Sequence, residues 1–290
     1  MEDYKEIINK VSAALVSAGS AFLPDKKAIY ERKIAEEKNE QAKWVLETIL
    51  RNAEIAEKNR SPLCDDTGIP HLLLEVGPDC AITGKMLEAI KEGVAQGLRK
   101  LPGRPMAVKG EGKARIEQSL GLYEDPGALE MAPIMIRNID DNLIKLHILM
   151  FGGGPEIRGK TYRVFHKHNV SNVIDEIVSW AAEGVSLLGC TPCTIAVGVG
   201  RSHYEASAMM LQALVEGDYG VQSELEQEIT ERMNQSGIGP IGLGGAATVL
   251  ATFIKIAPQR ASGVRIVCMR PCCCFEPRIA STVLYETIAE

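Results

Sequence analysis

The sequence predicts an α/β protein: a helical N-terminal segment over residues 1–60, then an α/β body with a mixed sheet over 61–290 that forms a single functional unit. Three observations lead there. The first sixty residues carry apolar side chains at three- and four-residue spacing. Beyond Ser61-Pro62, short apolar runs alternate with amphipathic stretches. Gly- and Pro-rich turns punctuate the joins. With 290 residues, 46% of them hydrophobic and 24% charged, the chain is long enough to bury a sizeable core without staples.

Taken in order, Ile7, Ile8, Val11, Ala14, Leu15 and Ala18 form the buried stripe of a first helix. Pro24-Asp25 opens a second, expected over 25–58, whose later apolar face is Ile34, Ala42, Leu46, Ile49 and Leu50. Its charge run, DKKAIYERKIAEEKNEQ, reads as a solvated face laced with i,i+4 pairs. The turn-rich SPLCDDTGIP then feeds a strand over 71–76, followed by a helix over 86–100 and strands over 134–137 and 143–151. A helix over 172–189, a buried strand over 194–200 and helices over 202–215 and 222–234 come next. The glycine-rich GIGPIGLGGAAT, a strand over 264–268 and a C-terminal helix complete the chain, with no internal repeat.

Composition excludes several functions. A formal charge of −6 and the lack of any Lys/Arg cluster argue against a nucleic-acid partner, while leaving room for anionic substrates held by local arginines. No run reaches the roughly 18 apolar residues of a membrane span. The start, MEDYKEIINKVSAAL, is charged from its second residue, unlike a signal peptide, so a cytoplasmic location is expected.

Eight cysteines stand at 64, 80, 190, 193, 268, 272, 273 and 274. Cys80 and Cys268 read as small core residues. Cys64 beside Asp65 and Asp66, Cys190 before Thr191-Pro192, and Cys272–Cys274 between Pro271 and Pro277 lie in local sequence that looks built for exposure. In a reducing compartment such cysteines point to metal or redox chemistry. Cys190-x-x-Cys193 is also half of a zinc knuckle that the triple cysteine run could complete, and spacing does not separate zinc from iron–sulfur. GVGRS is only a fragment of a phosphate loop. The glycines at 152–154, 198, 200, 239, 242, 244 and 245 suit tight turns or close backbone approach. Asp66 suits a turn cap, and His166 and His168 a surface loop. Arg201 and Arg115 are candidate carboxylate partners, because a guanidinium fork matches a carboxylate bidentately.

Five segments, in order, resemble the α subunit, or N-terminal half, of the iron–sulfur hydro-lyases, class I fumarase and L(+)-tartrate dehydratase. SPLCDDTG at 61–68 resembles that family's P-x-C-Q-D-T-G, and Gly152 to Glu156 resembles K-G-x-G-S-E-N. EGVSLLGCTPCTIAVGVGRSHYEA resembles its helix, C-P-P and V-G-x-G-G, and IGPIGLGGAAT its I-G-P-M-G-L-G-G-K-T-T. CFEPRIA at 274–280 resembles C-W-A-x-R-x-A. The resemblance covers most of the chain after residue 60 and implies a class I fumarase α-type fold.

It implies a [4Fe–4S] cluster held by Cys64, Cys190 and Cys274, with one iron left open for a small hydroxy (di)carboxylic acid such as malate or tartrate. It implies Asp66 and Glu156 as catalytic residues and Asp65, Arg115, Arg201 and Arg278 as substrate-binding ones. The family's catalytic base comes from a β portion outside these 290 residues, so a separate β subunit is expected, with the α chains pairing inside a larger assembly. The sequence departs from the family at Asp65 for Gln, Ala246 for Lys, Gln259 for His, and Pro155 and Ile157 for Ser and Asn. These departures make fumarate a doubtful substrate. They also motivate the rival reading, a zinc- or cluster-binding structural subunit without activity.

Overall fold

A computed structural model describes residues 4–286. The first three residues of the N-terminal charge pattern, and the end of the expected C-terminal helix, lie outside that range. The helices are α1 Tyr4–Ser20, α2 Pro24–Glu36, α3 Glu40–Asn59, α4 Gly84–Lys100, α5 Gly112–Glu117, α6 Gly153–Glu156, α7 Val170–Ser186, α8 His203–Glu216 and α9 Glu224–Asn234. The strands are β1 Ile69–Val76, β2 Met135–Asn138, β3 Leu143–Phe151, β4 Lys160–Phe165, β5 Cys193–Gly200, β6 Val249–Ile256, β7 Val264–Cys272 and β8 Ile279–Glu286. The architecture is α/β with mixed sheets, as the alternation of short apolar runs and amphipathic helices predicts.

Two compact units interleave along the chain. The first takes Met1–Phe22, Ala53–Gly152 and Arg278–Glu290; the second takes Leu23–Asn52 and Gly153–Pro277. In the first, strands run in the order β2-β1-β3-β8, with β1 parallel to β2 and antiparallel to β3, and β3 antiparallel to β8. Alternation along the strands turns Leu72, Leu74, Ile144, Leu146, Ile148 and Met150 into a core shared with Val11 and Leu15 of α1 and Ile90 and Leu98 of α4. In the second, the order is β4-β7-β5-β6, with a single parallel pair, β5 with β6. Every residue of β5 is buried, and Ile174, Ile177 and Trp180 of α7 and Ile229 and Met233 of α9 complete that core. Helix α8 packs on β5 at backbone distance: a Cβ on Gly198 would lie 1.9 Å from the Ala206 carbonyl oxygen. The glycine of GVGRS therefore serves helix–strand packing.

Three expectations fail. The helix expected over 25–58 is two helices, broken at 37–39. There Glu37 accepts the Lys38 and Asn39 amides, and Asn39 caps α3 by accepting from Gln41 and Ala42. The charge run is not wholly a solvated face either, since Lys26 and Glu37 are buried. The expected C-terminal helix is, over its described residues, strand β8, whose β-branched Thr282 and Val283 suit the open edge of β3. Strands β4 and β6 were not foreseen, because the apolar run of β6 continues directly from the glycine-rich segment.

By length and composition alone the stretch Tyr4–Glu36 is apolar enough to cross a membrane, but 56% of its most apolar window is buried inside the protein, as a core helix would be.

Candidate active site

In the first unit, the loop after α3 presents Cys64, Asp65 and Asp66. The Leu63 amide donates to the Gly19 carbonyl at 2.9 Å and fixes the entry to the loop. The Cys64 thiol, half-buried, donates to Asp65 Oδ1 at 3.4 Å. Asp65 is exposed, and its carbonyl accepts Arg104 Nε at 2.7 Å. Asp66 Oδ1 accepts the Gly68 amide at 3.2 Å, which closes the turn that its sequence position suggests.

Arg278 lies 3% exposed against this loop. It donates Nη1 to the Asp66 and Thr67 carbonyls at 2.5 and 3.3 Å, and Nε to the Met150 carbonyl at 3.2 Å. Gly68, at φ +80°, is required: a Cβ there would sit 2.5 Å from Arg278 Nη2 and 3.1 Å from the Phe151 carbonyl oxygen. Arg115 is exposed on the short helix α5 and donates to the Gly110 carbonyl.

In the second unit, Cys190 and the turn after β7 come together. The Cys274 amide donates to the Cys190 carbonyl at 2.9 Å, and the Cys274 thiol contacts those of Cys190 and Cys273. The expectation of exposure holds for Cys190, but Cys274 and Cys272 are buried and Cys273 is half-buried. The reason is that β7 runs on through Cys272 and carries the cysteines into the packed interior. Of the bonded pair, the bond from Cys274 holds the Cys273 thiol below its ordinary value, whereas the bonds to Cys190 and Cys273, together with burial, hold Cys274 above it. One negative charge on such a pair disfavours a second. Cys272 faces Arg270, whose Nη1 reaches its sulfur at 3.1 Å, and burial pushes its thiol up to about 12. Cys193 sits fully buried in β5, and that burial pushes its thiol up. Among the described residues no group of three His, Cys, Asp or Glu side chains stands arranged to hold a metal ion.

Glu156 ends the four-residue α6 with an exposed carboxylate, 3.0 Å from Arg270 Nε. Arg201, at the exit of β5, is exposed and paired with Glu205 four residues on. Its side chain first, and then its amide, hold the Glu205 carboxyl down to about 2. His166 donates from Nε2 to the Ser262 carbonyl and accepts the His168 amide at Nδ1, a pinned surface turn.

Five residues of this region carry no mark in the sequence. Lys26 donates Nζ to the Glu276 carbonyl at 2.6 Å, and the Tyr30 hydroxyl donates to the Cys274 carbonyl at 2.9 Å. Arg270 and Glu276 form a buried ion pair, Nη1 to Oε2, at 2.5 Å. Burial lowers the Lys26 ammonium to about 8, against the pull of the Cys273, Cys274 and Cys272 thiols and of Glu276. Glu37 reaches the glycine-rich loop by accepting the Ala246 amide at 2.8 Å, where the hydro-lyase motif would carry a lysine.

A profile of the family described as fumarate hydratase (Fumerase) matches residues 8–282. The chain is 30% identical over 264 residues to a Methanocaldococcus jannaschii protein named "Putative L(+)-tartrate dehydratase subunit alpha", covering 86% of this chain and 88% of that one. It is 25% identical over 245 residues to the L(+)-tartrate dehydratase subunit alpha of Escherichia coli strain K12, covering 81% of this chain and 77% of that one. The Shigella sonnei protein of the same name matches to the same extent. A match over nearly the whole chain, with the expected motifs in order, shows that the chain belongs to the fumarate hydratase (Fumerase) family of hydro-lyases.

Proposed function

We propose that the chain is the α subunit of a [4Fe–4S]-dependent hydro-lyase that reversibly removes water from a small hydroxy (di)carboxylic acid in the cytoplasm, with a separate β subunit supplying the catalytic base. The observation that carries the reading is the contact between Cys190 and Cys274. These residues are 84 positions apart, from 190 to 274, yet they share a backbone hydrogen bond and touching thiols in a family of hydro-lyases. Soft thiolate donors of this kind suit an iron–sulfur cluster. Cys64, Cys190 and Cys274 would hold it, and of the triple run Cys274 is favoured because its thiol meets that of Cys190 while Cys272 faces Arg270. With three protein ligands, the cluster when bound would leave one iron to supply Lewis-acid chemistry toward the substrate hydroxyl.

The chain's own residues would bind and orient the acid. Arg201 and Arg115 offer exposed guanidinium groups for carboxylates, although Arg201 must release Glu205 to do so. Asp66 and Glu156 are the proton-handling candidates. Asp66 is fixed by its own turn, and Glu156 is steadied by Arg270 while remaining open to solvent. Buried Arg278 keeps the Cys64–Asp66 loop in shape through three carbonyls, a positioning part that differs from direct substrate binding.

Anaerobic reconstitution of the chain with its β partner tests the proposal. About four irons per chain and dehydration of a hydroxy acid are expected, and serine at position 64, 190 or 274 abolishes the full cluster. Stoichiometric zinc without iron, or a full cluster in Cys64→Ser, overturns it. A loaded cluster with no dehydration of any hydroxy acid favours the inactive structural subunit.

A further inference from the structure

The turn that carries Cys274 is held by two side chains of a single helix. Lys26 and Tyr30 lie four residues apart on α2, so they face the same way, and both are fully buried. One donates to the Glu276 carbonyl and the other to the Cys274 carbonyl. Tyr30 anchors the turn without a charge, so an ammonium at the second anchor calls for a separate reason.

Taking an ammonium out of water is unfavourable unless negative charge is fixed beside it. The carboxylate in its field is Glu276, and that group is engaged by Arg270, a second buried cation that also touches Cys272. Asp25, next to Lys26 in sequence, turns its carboxylate to the amides of Lys26 and Tyr219. The field of Lys26 also includes the sulfurs of Cys272, Cys273 and Cys274. Two buried cations thus converge on a turn whose full negative charge is developed only when its sulfurs ligate metal.

We propose that Lys26 is a positioning residue of the cluster site, fixing the Cys274–Glu276 turn through the Glu276 carbonyl while its positive charge offsets the charge that thiolate ligation brings into the turn. This rests on the iron–sulfur reading above and extends it to a helix outside every cysteine motif. A fixed positive charge stabilises the more negative, reduced state of a nearby cluster and so raises its potential. It also disfavours oxidation, the first step of iron loss in air.

The test uses the full chain, reconstituted anaerobically, as wild type, K26Q, K26M, K26R and Y30F. The readouts are iron content, the reduction potential by spectroscopic titration, and the rate of iron release in air. K26Q keeps a donor for the Glu276 carbonyl and loses only the charge. It is expected to be roughly fivefold or more less reduced at a fixed potential, and to release iron several-fold faster. K26R is expected to restore most of both. Y30F, which loses an anchor and no charge, is expected to release iron faster at an unchanged potential. K26M reports the loss of both anchor and charge, and circular dichroism shows whether it folds. A wild type that takes up no iron ends the iron–sulfur reading and this inference with it. A wild type that loads normally, beside a K26Q with the same potential and iron release, ends this inference alone.

Discussion

The two cysteine-bearing loops solve the same backbone problem with opposite electrostatics. Around Cys64 the bracing cation, Arg278, is directed at three main-chain carbonyls, and the side chains next to the thiol are two acids, one of them exposed. Around Cys272–Cys274 the bracing cations are Lys26, on the Glu276 carbonyl, and Arg270, which reaches the Cys272 sulfur, and the acid, Glu276, is fully buried. The first arrangement fixes the backbone of a partly exposed loop and leaves the Asp65 carboxylate at the surface. The second sets two buried cations against a buried carboxylate, with Cys272 and Cys274 buried and Cys273 half-buried.

Cutting the buried pair tests the contrast most severely. Arg270→Met leaves Glu276 charged and 1% exposed with its guanidinium partner gone. A loss of about 3–5 kcal/mol is expected, read as a fall in the urea midpoint with faster amide exchange at 272–277. A midpoint within error of the wild type would show that the second loop is not locked by charge.

The first loop is expected to fail more mildly and for a steric reason. Gly68→Ala forces a side chain onto a residue at φ +80° and drives its Cβ into Arg278 Nη2. A cost of about 1–3 kcal/mol is expected, with new proteolytic sensitivity near residues 64–68. Pairing it with Arg278→Lys, which removes the fork at that spot, should give less than the sum of the two single losses. Full additivity would mean that Gly68 and Arg278 do not act through one contact.

How much of this was legible depended on how local the cause was. Strand β3 was read at its observed bounds, 143–151, because an apolar run ending in three glycines leaves little choice. The carboxylate of Asp66 closing its own turn was equally local. The break at 37–39 was missed because its charged residues continue the helix pattern, although Asn39 before Glu40 is a cap in hindsight. Lys26 was misread for a deeper reason. A buried ammonium is defined by its partner, here a carbonyl 250 residues away, and nothing near Lys26 in sequence records that pairing. The same holds for the burial of Cys272 and Cys274, set by how far β7 extends past the point where its apolar run ends.

The smallest expected effect concerns a charge row that crosses the first unit's sheet from edge to edge. Arg137 on β2 pairs with Glu75 on β1; His147 on β3 places Nε2 3.0 Å from Glu75 Oε2, off the hydrogen-bonding axis, and Nδ1 2.7 Å from Ser281 Oγ on β8. Burial, with Lys145 and Arg137 nearby, holds His147 below its ordinary 6.5 despite Glu75. Burial works against the Glu75 carboxylate, yet the facing His147 ring and the bond from Arg137 keep it below 4.5. In both windows the unfolded chain takes up a proton that the folded chain refuses, so acid favours unfolding. The stability contributed by this row should be complete above about pH 6.5 and decline progressively as the pH falls through and below 4.5. Hydrogen exchange of the β1 and β3 amides, corrected for intrinsic rates and compared at about pH 5 and pH 7.5, reads this loss directly. His147→Gln should flatten the upper part of the slope and leave the part below 4.5. A first unit that gains protection on acidification would reverse the sign and show that Glu75 attracts the imidazole proton more strongly than burial repels it.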